Sequence, residues 1–429
     1  MASLKEGTVG NPDQKDTSEL EKLGESYAVE NPGEVFDQSE YRALGWIPAA
    51  VILLTLCFAT GVLAIPATFS VLGYVPGLLV LLGFGALTTC IARCRSRNPF
   101  TRGKTNVLFK TMLISCGWRS VIVAWTLASG AGFVGLAQGF KALSSRNQAS
   151  RPWEGLTIFT WIGFASLFTA VFIIVIGVTQ VDRPAAAPQE GPFDIGVVTI
   201  GAPAVAPGLT AAVNIFAAFS STPTFMPVIA EMKAPRAFKN SLFSSQIVLF
   251  ICHVTMSLVV YLYCGKYVAS PALGSAGGLL VKIAHGISIP GFIMTCTLRV
   301  HLAAKTVSQA HGLPLRRLAN VSLTGMGSTI GISSLAFICA GAVPFFSYLI
   351  GLHGALCLAP TCLVIPAWMG LYMDWELRRT SWKKRGVCHL YMFTVIVGLF
   401  MTVGGTTTTI QSIVDAYEAG SVGTPFSCT

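Results

Sequence analysis

The polar chemistry of this 429-residue chain is concentrated where its apolar sequence is interrupted. Ala59-Thr60-Gly61-Val62-Leu63-Ala64-Ile65-Pro66 breaks into an otherwise continuous apolar run, and Phe219-Ser220-Ser221-Thr222-Pro223, with Pro227 following, does the same further on. Gly61 tolerates dihedrals that other residues avoid, and Pro66 has no N–H to offer the carbonyl four residues earlier. A helix interrupted inside a membrane exposes N–H groups that suit a carboxylate and C=O groups that suit an ammonium or a metal cation. One interruption alone reads as an ordinary proline kink, since Pro and Gly are common in membrane helices. Two, each opening one half of the chain, point to a binding site.

Ionisable residues inside apolar runs are expensive and each starts as a functional hypothesis. His253 sits halfway along its run, where it reads either as a proton relay or as a neutral imidazole hydrogen-bonded between helices. The second reading is preferred, because no acidic partner lies near it in sequence. His285 and His353 are read the same way. Arg119 ends a run and can snorkel to the interface. Arg299 and His301 also stand at the end of a run and read as markers of topology. No Asp or Glu lies in the middle of a run, and Glu231, beside Lys233 and Arg236, reads as an anchor or gate at the mouth. The twelve cysteines are mostly singletons in apolar runs, among them Cys57, Cys90, Cys252, Cys296, Cys339, Cys357 and Cys362, and read as small packing residues. Cys94, between Arg93 and Arg95, is a candidate for palmitoylation. No Cys-x-x-Cys or Cys/His spacing fits a metal, so neither a metal nor a cofactor is expected. No nucleophile elbow, phosphate loop or carboxylate pair appears, and an enzyme is unsupported.

The elements that must position these residues follow from composition. The chain is 53% hydrophobic and 11% charged, against about a quarter charged in soluble domains. Ten apolar runs are long enough to cross a bilayer, at 46–72, 75–92, 118–141, 155–178, 208–232, 242–263, 276–298, 321–345, 347–373 and 387–413. In lipid each span must satisfy its own backbone, so these are helices and residues 45–417 form one polytopic transmembrane domain. Residues 1–44 hold ten of the 19 acids and four bases among Asn, Pro, Gly and Ser, and read as a disordered cytosolic tail. Residues 418–429 form a short C-terminal tail. With no signal peptide before the tail, the first span directs insertion.

The basic residues set the topology. Lys233, Arg236 and Lys239 form one basic loop, Arg299, Lys305, Arg316 and Arg317 a second, and Arg378, Arg379, Lys383, Lys384 and Arg385 a third. Two spans separate each neighbouring pair, so residues 233–239, 299–317 and 378–385 share the cytosolic face, opposite 264–278. This charge serves orientation and the lipid bilayer; no nucleic-acid partner is expected. A fourth basic loop, Arg93, Arg95, Arg97, Arg102 and Lys104, is also expected in the cytosol. Three apparent spans then separate it from residues 233–239, an odd number that cannot return to the same face. Residues 105–117 are apolar but too short to span and contain Lys110, so a helix is either hidden there or missing.

Residues 261–277, Tyr-Leu-Tyr-Cys-Gly-Lys-Tyr-Val-Ala-Ser-Pro-Ala-Leu-Gly-Ser-Ala-Gly, resemble a stretch of the fungal branch of the amino acid/auxin permease family. Asp182-Arg183-Pro184-Ala185-Ala186-Ala187-Pro188-Gln189, Glu231-Met232-Lys233-Ala234-Pro235-Arg236 and Asp374-Trp375 are similar to further signatures of its neutral amino acid permease-like members. The resemblance covers 41–92 and, more strongly, 155–375. It implies an all-α membrane protein of ten to eleven helices, a secondary transporter with inverted repeats and discontinuous first and sixth-type helices. The first repeat here is one helix short, four against five, as the charge parity also indicates.

By the same resemblance the substrate lies between Ala59, Thr60, Gly61 and Val62 of the first span and Phe219, Ser220, Ser221 and Thr222 of the fifth. Gly61 matches the second glycine of the family's break and Ala59 replaces the first; Ser221 stands where many relatives have Gly, and Phe219 where many have Tyr. The resemblance implies symport of an amino acid, a neutral one in the first place, or of a related small amine or carboxylate metabolite, with a proton or sodium, across the plasma membrane rather than the vacuolar one. Two other readings stay open: a non-transporting sensor or receptor on the same fold, and a degenerate gene product.

Overall fold

The computed structural model describes residues 44–96, 152–310, 331, 334, 346–375 and 382–419. The N-terminal tail, the expected span at 118–141, all of that at 321–345 but residues 331 and 334, and the loops at 97–104 and 311–317 lie outside the described residues. The elements among them are all helical, and eight helical stretches are long and apolar enough to cross a membrane. In chain order the elements are α1 (Trp46–Leu72), α2 (Tyr74–Ser96), α3 (Pro152–Gln180), α4 (Val205–Phe219), α5 (Thr222–Glu231), α6 (Phe238–Cys264), α7 (Gly278–Ala310), α8 (Phe346–His353), a π-helical segment (Gly354–Val364), α9 (Ile365–Asp374) and α10 (Trp382–Glu418). Large apolar side chains face outward, as a lipid-bathed surface requires: on α10, Phe393, Ile396, Phe400 and Val403 form an exposed stripe at helical spacing.

α1 is the central helix. Apart from Trp46 and Ile47 at its start, it exposes no large apolar side chain, and it packs on α2, α3, α4, α6 and α7. Around it the spans run antiparallel, which can be read from their contacts. Leu44 pairs with Met232, the Lys233 N–H donates to the Leu44 carbonyl, and the Ser241 hydroxyl donates to the Trp46 carbonyl. These bonds join the start of α1 to the connection between α5 and α6. At the other end, the Gly201 N–H donates to the Leu72 carbonyl and the Lys266 N–H to the Ile195 carbonyl. Gly73, at φ 82°, turns the chain there into α2 with its own amide bonded to the Phe69 carbonyl.

α3 and α7 pack closely because small residues face each other. A side chain at Gly163 would strike Met294, and one at Gly291 would strike the Gly163 carbonyl oxygen at 2.7 Å. This pairing runs antiparallel, with Gly177 against Leu280 and the Ser166 hydroxyl donating to the Ile287 carbonyl. α3 therefore begins at the end where α2 finishes, since Ala92 packs with Leu44, Met232 and Leu298. Between Arg93 and residues 233–239 the described chain makes two crossings, α3 and then α4–α5. The third crossing in the parity conflict read from charge, 118–141, lies outside the described residues.

Two sequence expectations are corrected. Residues 299–310 are not loop: α7 continues through them to Ala310, and Arg299 is buried in the bundle. The discontinuity expected at 59–62 is absent, for α1 is one helix from Trp46 to Leu72 with Pro66 inside it. Pro66 removes one helical hydrogen bond, a loss that packed membrane helices tolerate. Gly61 meanwhile keeps an ordinary helical φ, pressed against α4 and α6 with no room to unwind.

This arrangement puts the first turn of α6 and the α6–α7 connection at opposite ends of the bundle. With the basic end in the cytosol, a cysteine replacing exposed Lys239 is expected to react with a membrane-impermeant maleimide only from the cytosolic side, and one replacing exposed Ser270 only from outside. Labelling of Ser270→Cys from the cytosol alone would overturn the orientation.

Candidate functional site

The interruption expected in the fifth span is present. α4 ends at Phe219, Ser220 leaves helical geometry at ψ 88°, and α5 starts at Thr222 with Pro223 in its first turn. Proline suits that position, because its missing N–H is one that a helix start leaves unbonded in any case. The Ser220 hydroxyl donates to the Phe216 carbonyl at 2.9 Å and the Thr224 hydroxyl to the Ser221 carbonyl at 2.6 Å. The Ser221 hydroxyl, 2% exposed, satisfies no partner although the Cys57 thiol lies against it. α5 therefore presents a positive helix end toward the bundle interior beside an unsatisfied hydroxyl.

α1 approaches this break through Gly61. A Cβ at Gly61 would lie 2.6 Å from the Ala218 Cβ and 2.6 Å from Cε1 of His253. Of the expected residues, Ala59, Val62 and Phe219 come together in one buried cluster, and Gly61 meets Ala218, the neighbour of Phe219. They do so with α1 intact, so the amides of α1 are spent within its own helix. Of Thr60 only the backbone, continuous with α1, is described. Ala59, Val62 and Phe219 are buried core residues.

His253 stands behind that contact on α6. Its ring stacks on Phe58 at 6.5 Å and meets Phe219 edge-on at 5.2 Å. It is fully buried, and neither ring nitrogen has a hydrogen-bond partner. The sequence reading of a histidine bonded between helices is corrected: its neighbours at α1 and α4 are apolar rings and small side chains that offer nothing to bond. One turn along α6, the buried Ser257 hydroxyl is unpartnered too. His285, by contrast, bonds back to the Val281 carbonyl at 2.8 Å on its own helix. On α4, one turn apart, the Thr210 hydroxyl and the Asn214 carbonyl oxygen are buried and unpartnered, Asn214 beside Gly351 of α8.

Sequence reasoning missed Arg299. It is 7% exposed, and its Nη2 donates to the Leu56 carbonyl of α1 at 2.6 Å while Nε has no partner. Eleven residues of α7 follow it, so it sits about 16 Å from the end of that helix. Its charge reaches Cys57, Cys296 and His353, which caps the π-helical segment. That segment is wound over eleven residues around Pro360, and Gly354 lets it settle onto Val213 and Ala217 of α4. Such winding is rare and concentrates at functional sites. Only the length of α7, which hydropathy truncates at 298, would have revealed Arg299 as an interior residue.

Comparison with known proteins agrees with this architecture. The family model described as transmembrane amino acid transporter protein matches residues 153–414. A transmembrane transporter of Fusarium pseudograminearum is 33% identical over 95% of this chain and 91% of its own length. One from Gibberella moniliformis is 34% identical over 96% of the chain and 92% of its own. The N amino acid transport system protein of Neurospora crassa is 25% identical over 96% and 93%.

The contact at Gly61 yields a mutational expectation. Gly61→Val places methyl groups into Ala218 and His253, and is expected to lower thermal stability by about 1–3 kcal/mol, the usual cost of overpacking a core. Combining Gly61→Ala with Ala218→Gly and His253→Ala should recover part of the loss that Gly61→Ala causes alone, read as melting temperature in detergent. Equal stability of Gly61→Val and wild type would show that the α1–α4–α6 contact is looser than described.

Proposed function

This chain belongs to the transmembrane amino acid transporter family, and we propose that it moves amino acids, neutral ones in the first place, by secondary transport across the plasma membrane. The reading rests on one observation above all: a helix broken inside the bilayer at Ser220–Ser221 abuts the small-residue face of α1 at Gly61, within a buried patch of unpartnered polar atoms. Broken helices are where secondary transporters satisfy the charged ends of small polar substrates. Ala59, Thr60, Gly61, Val62, Phe219, Ser220, Ser221 and Thr222 are the proposed substrate contacts, with α1 lending shape and the α5 end lending charge.

The coupling ion is proposed to be a proton or sodium, carried in symport. No carboxylate lies among the described interior side chains, so coupling falls to backbone and hydroxyl oxygens or to an imidazole such as His253. A second reading, a sensor that binds an amino acid without carrying it, is favoured by one feature, the unbroken α1. The two readings differ in flux and agree in binding.

Uptake of each radiolabelled standard amino acid in a host lacking its own permeases, with surface abundance measured in parallel, separates them. Wild type is expected to accumulate neutral amino acids. Ser221→Val is expected to reduce that uptake about tenfold, the worth of one lost hydrogen bond to a charged group. Glu190→Ala, at an exposed position far from the break, should leave uptake unchanged. Surface-localised wild type that carries none of the twenty would remove the transport reading in favour of the sensor.

A further inference from the structure

We propose that Arg299 is the carboxylate anchor of the binding site, so that the ligand class is set by a free carboxylate group and not by an amine alone. The inference rests on the amino-acid reading above and names the residue that enforces it. Its starting point is an imbalance. An arginine keeps its proton in proteins and offers five N–H donors. Arg299 lies inside a membrane bundle at 7% exposure, with Nη2 bonded to the Leu56 carbonyl and with Nε unpartnered. Among the described residues no carboxylate pairs with it. A charge held in that state is costly until an anion completes it.

A second, independent feature converges on the same place. Leu56, which holds the guanidinium, is followed by Cys57, and the Cys57 thiol lies against Ser221. Ser221 is the residue before α5, a ten-residue helix whose positive end therefore starts one residue from the Cys57 contact, with the unpartnered Ser221 hydroxyl beside it. A cation, a helix N-terminus and a spare hydroxyl are the components of a carboxylate site, and a guanidinium matches a carboxylate with two parallel hydrogen bonds. The continuity of α1 strengthens the assignment. With the amides near Gly61 bonded inside their own helix, they are not free to receive the carboxylate, and the positive group left nearby is Arg299.

The test uses the full-length protein purified in detergent, with L-alanine and L-phenylalanine as probes and alaninamide and phenylalaninamide as matched ligands lacking the carboxylate. Wild type should be stabilised against heat by the acids and not by the amides. Arg299→Gln should weaken that stabilisation about tenfold to a hundredfold in ligand concentration, the range of a charged hydrogen-bonded pair. Arg299→Lys should restore part of it. The unliganded melting temperature separates this role from a merely structural one: removing an unpaired buried charge should leave it equal or higher, whereas a structural tie to Leu56 would make Arg299→Gln fall. Acid-over-amide preference retained in Arg299→Gln, or wild type that binds amides as well as acids or neither, overturns the anchor even where uptake establishes transport. Acid-selective, Arg299-dependent stabilisation without uptake upholds the anchor and removes transport instead.

Discussion

A hydrocarbon solvent leaves every backbone amide, carbonyl and charged group to find its partner inside the protein. Here the consequence is an architecture built around a single shielded helix. α1 is enclosed by α2, α3, α4, α6 and α7, and only because it is enclosed can the bundle hold a broken helix and an arginine beside it. Gly61 makes the enclosure tight, since the Ala218 side chain and the His253 ring occupy the space where a side chain would project. The break between α4 and α5 then falls on protein and not on lipid, the condition under which irregular backbone is tolerated at membrane depth.

The two interruptions in the sequence look alike, and only one became a break. Phe219 to Pro223 was legible because its signals are local: a serine and a threonine whose hydroxyls bond to nearby carbonyls, around a proline fit for the first turn of a new helix. Ala59 to Pro66 carried a glycine and a proline inside a long apolar run, a pattern shared by kinked and intact helices. What decided it is tertiary, the pressure of α4 and α6 on Gly61, and no window of sequence contains that. His253 shows the same boundary. Its place in the middle of a span was plain, but whether a ring nitrogen finds a partner depends on which residues the neighbouring helices bring to it, here Phe58 and Phe219.

Arg299 was misjudged for a different reason. Hydropathy averages over all faces of a helix, so a span seems to end at the first cluster of polar residues. α7 continues to Ala310, and the residues that ended the apolar run are carried on a helix that extends beyond it. The odd number of crossings turned on the span read at 118–141, which lies outside the described residues. The described helices enter and leave on consistent ends, because α3 pairs antiparallel with α7 through Gly163 and Gly291.

The electrostatics of the interior then constrain any binding cycle. A ligand shifts a conformational equilibrium only by the difference in its interaction with the two states. With α1 a continuous helix its amides are satisfied, so little is left there for a ligand to bond more strongly in one state than another. Arg299 is different: its Nε is unsatisfied, it is tied to α1 at Leu56, and it lies near the break through Cys57 and Ser221. An anion that completes this guanidinium acts at once on α1, α7 and the start of α5. The group that is costly when empty is thereby also the one through which ligand binding can move three helices relative to one another.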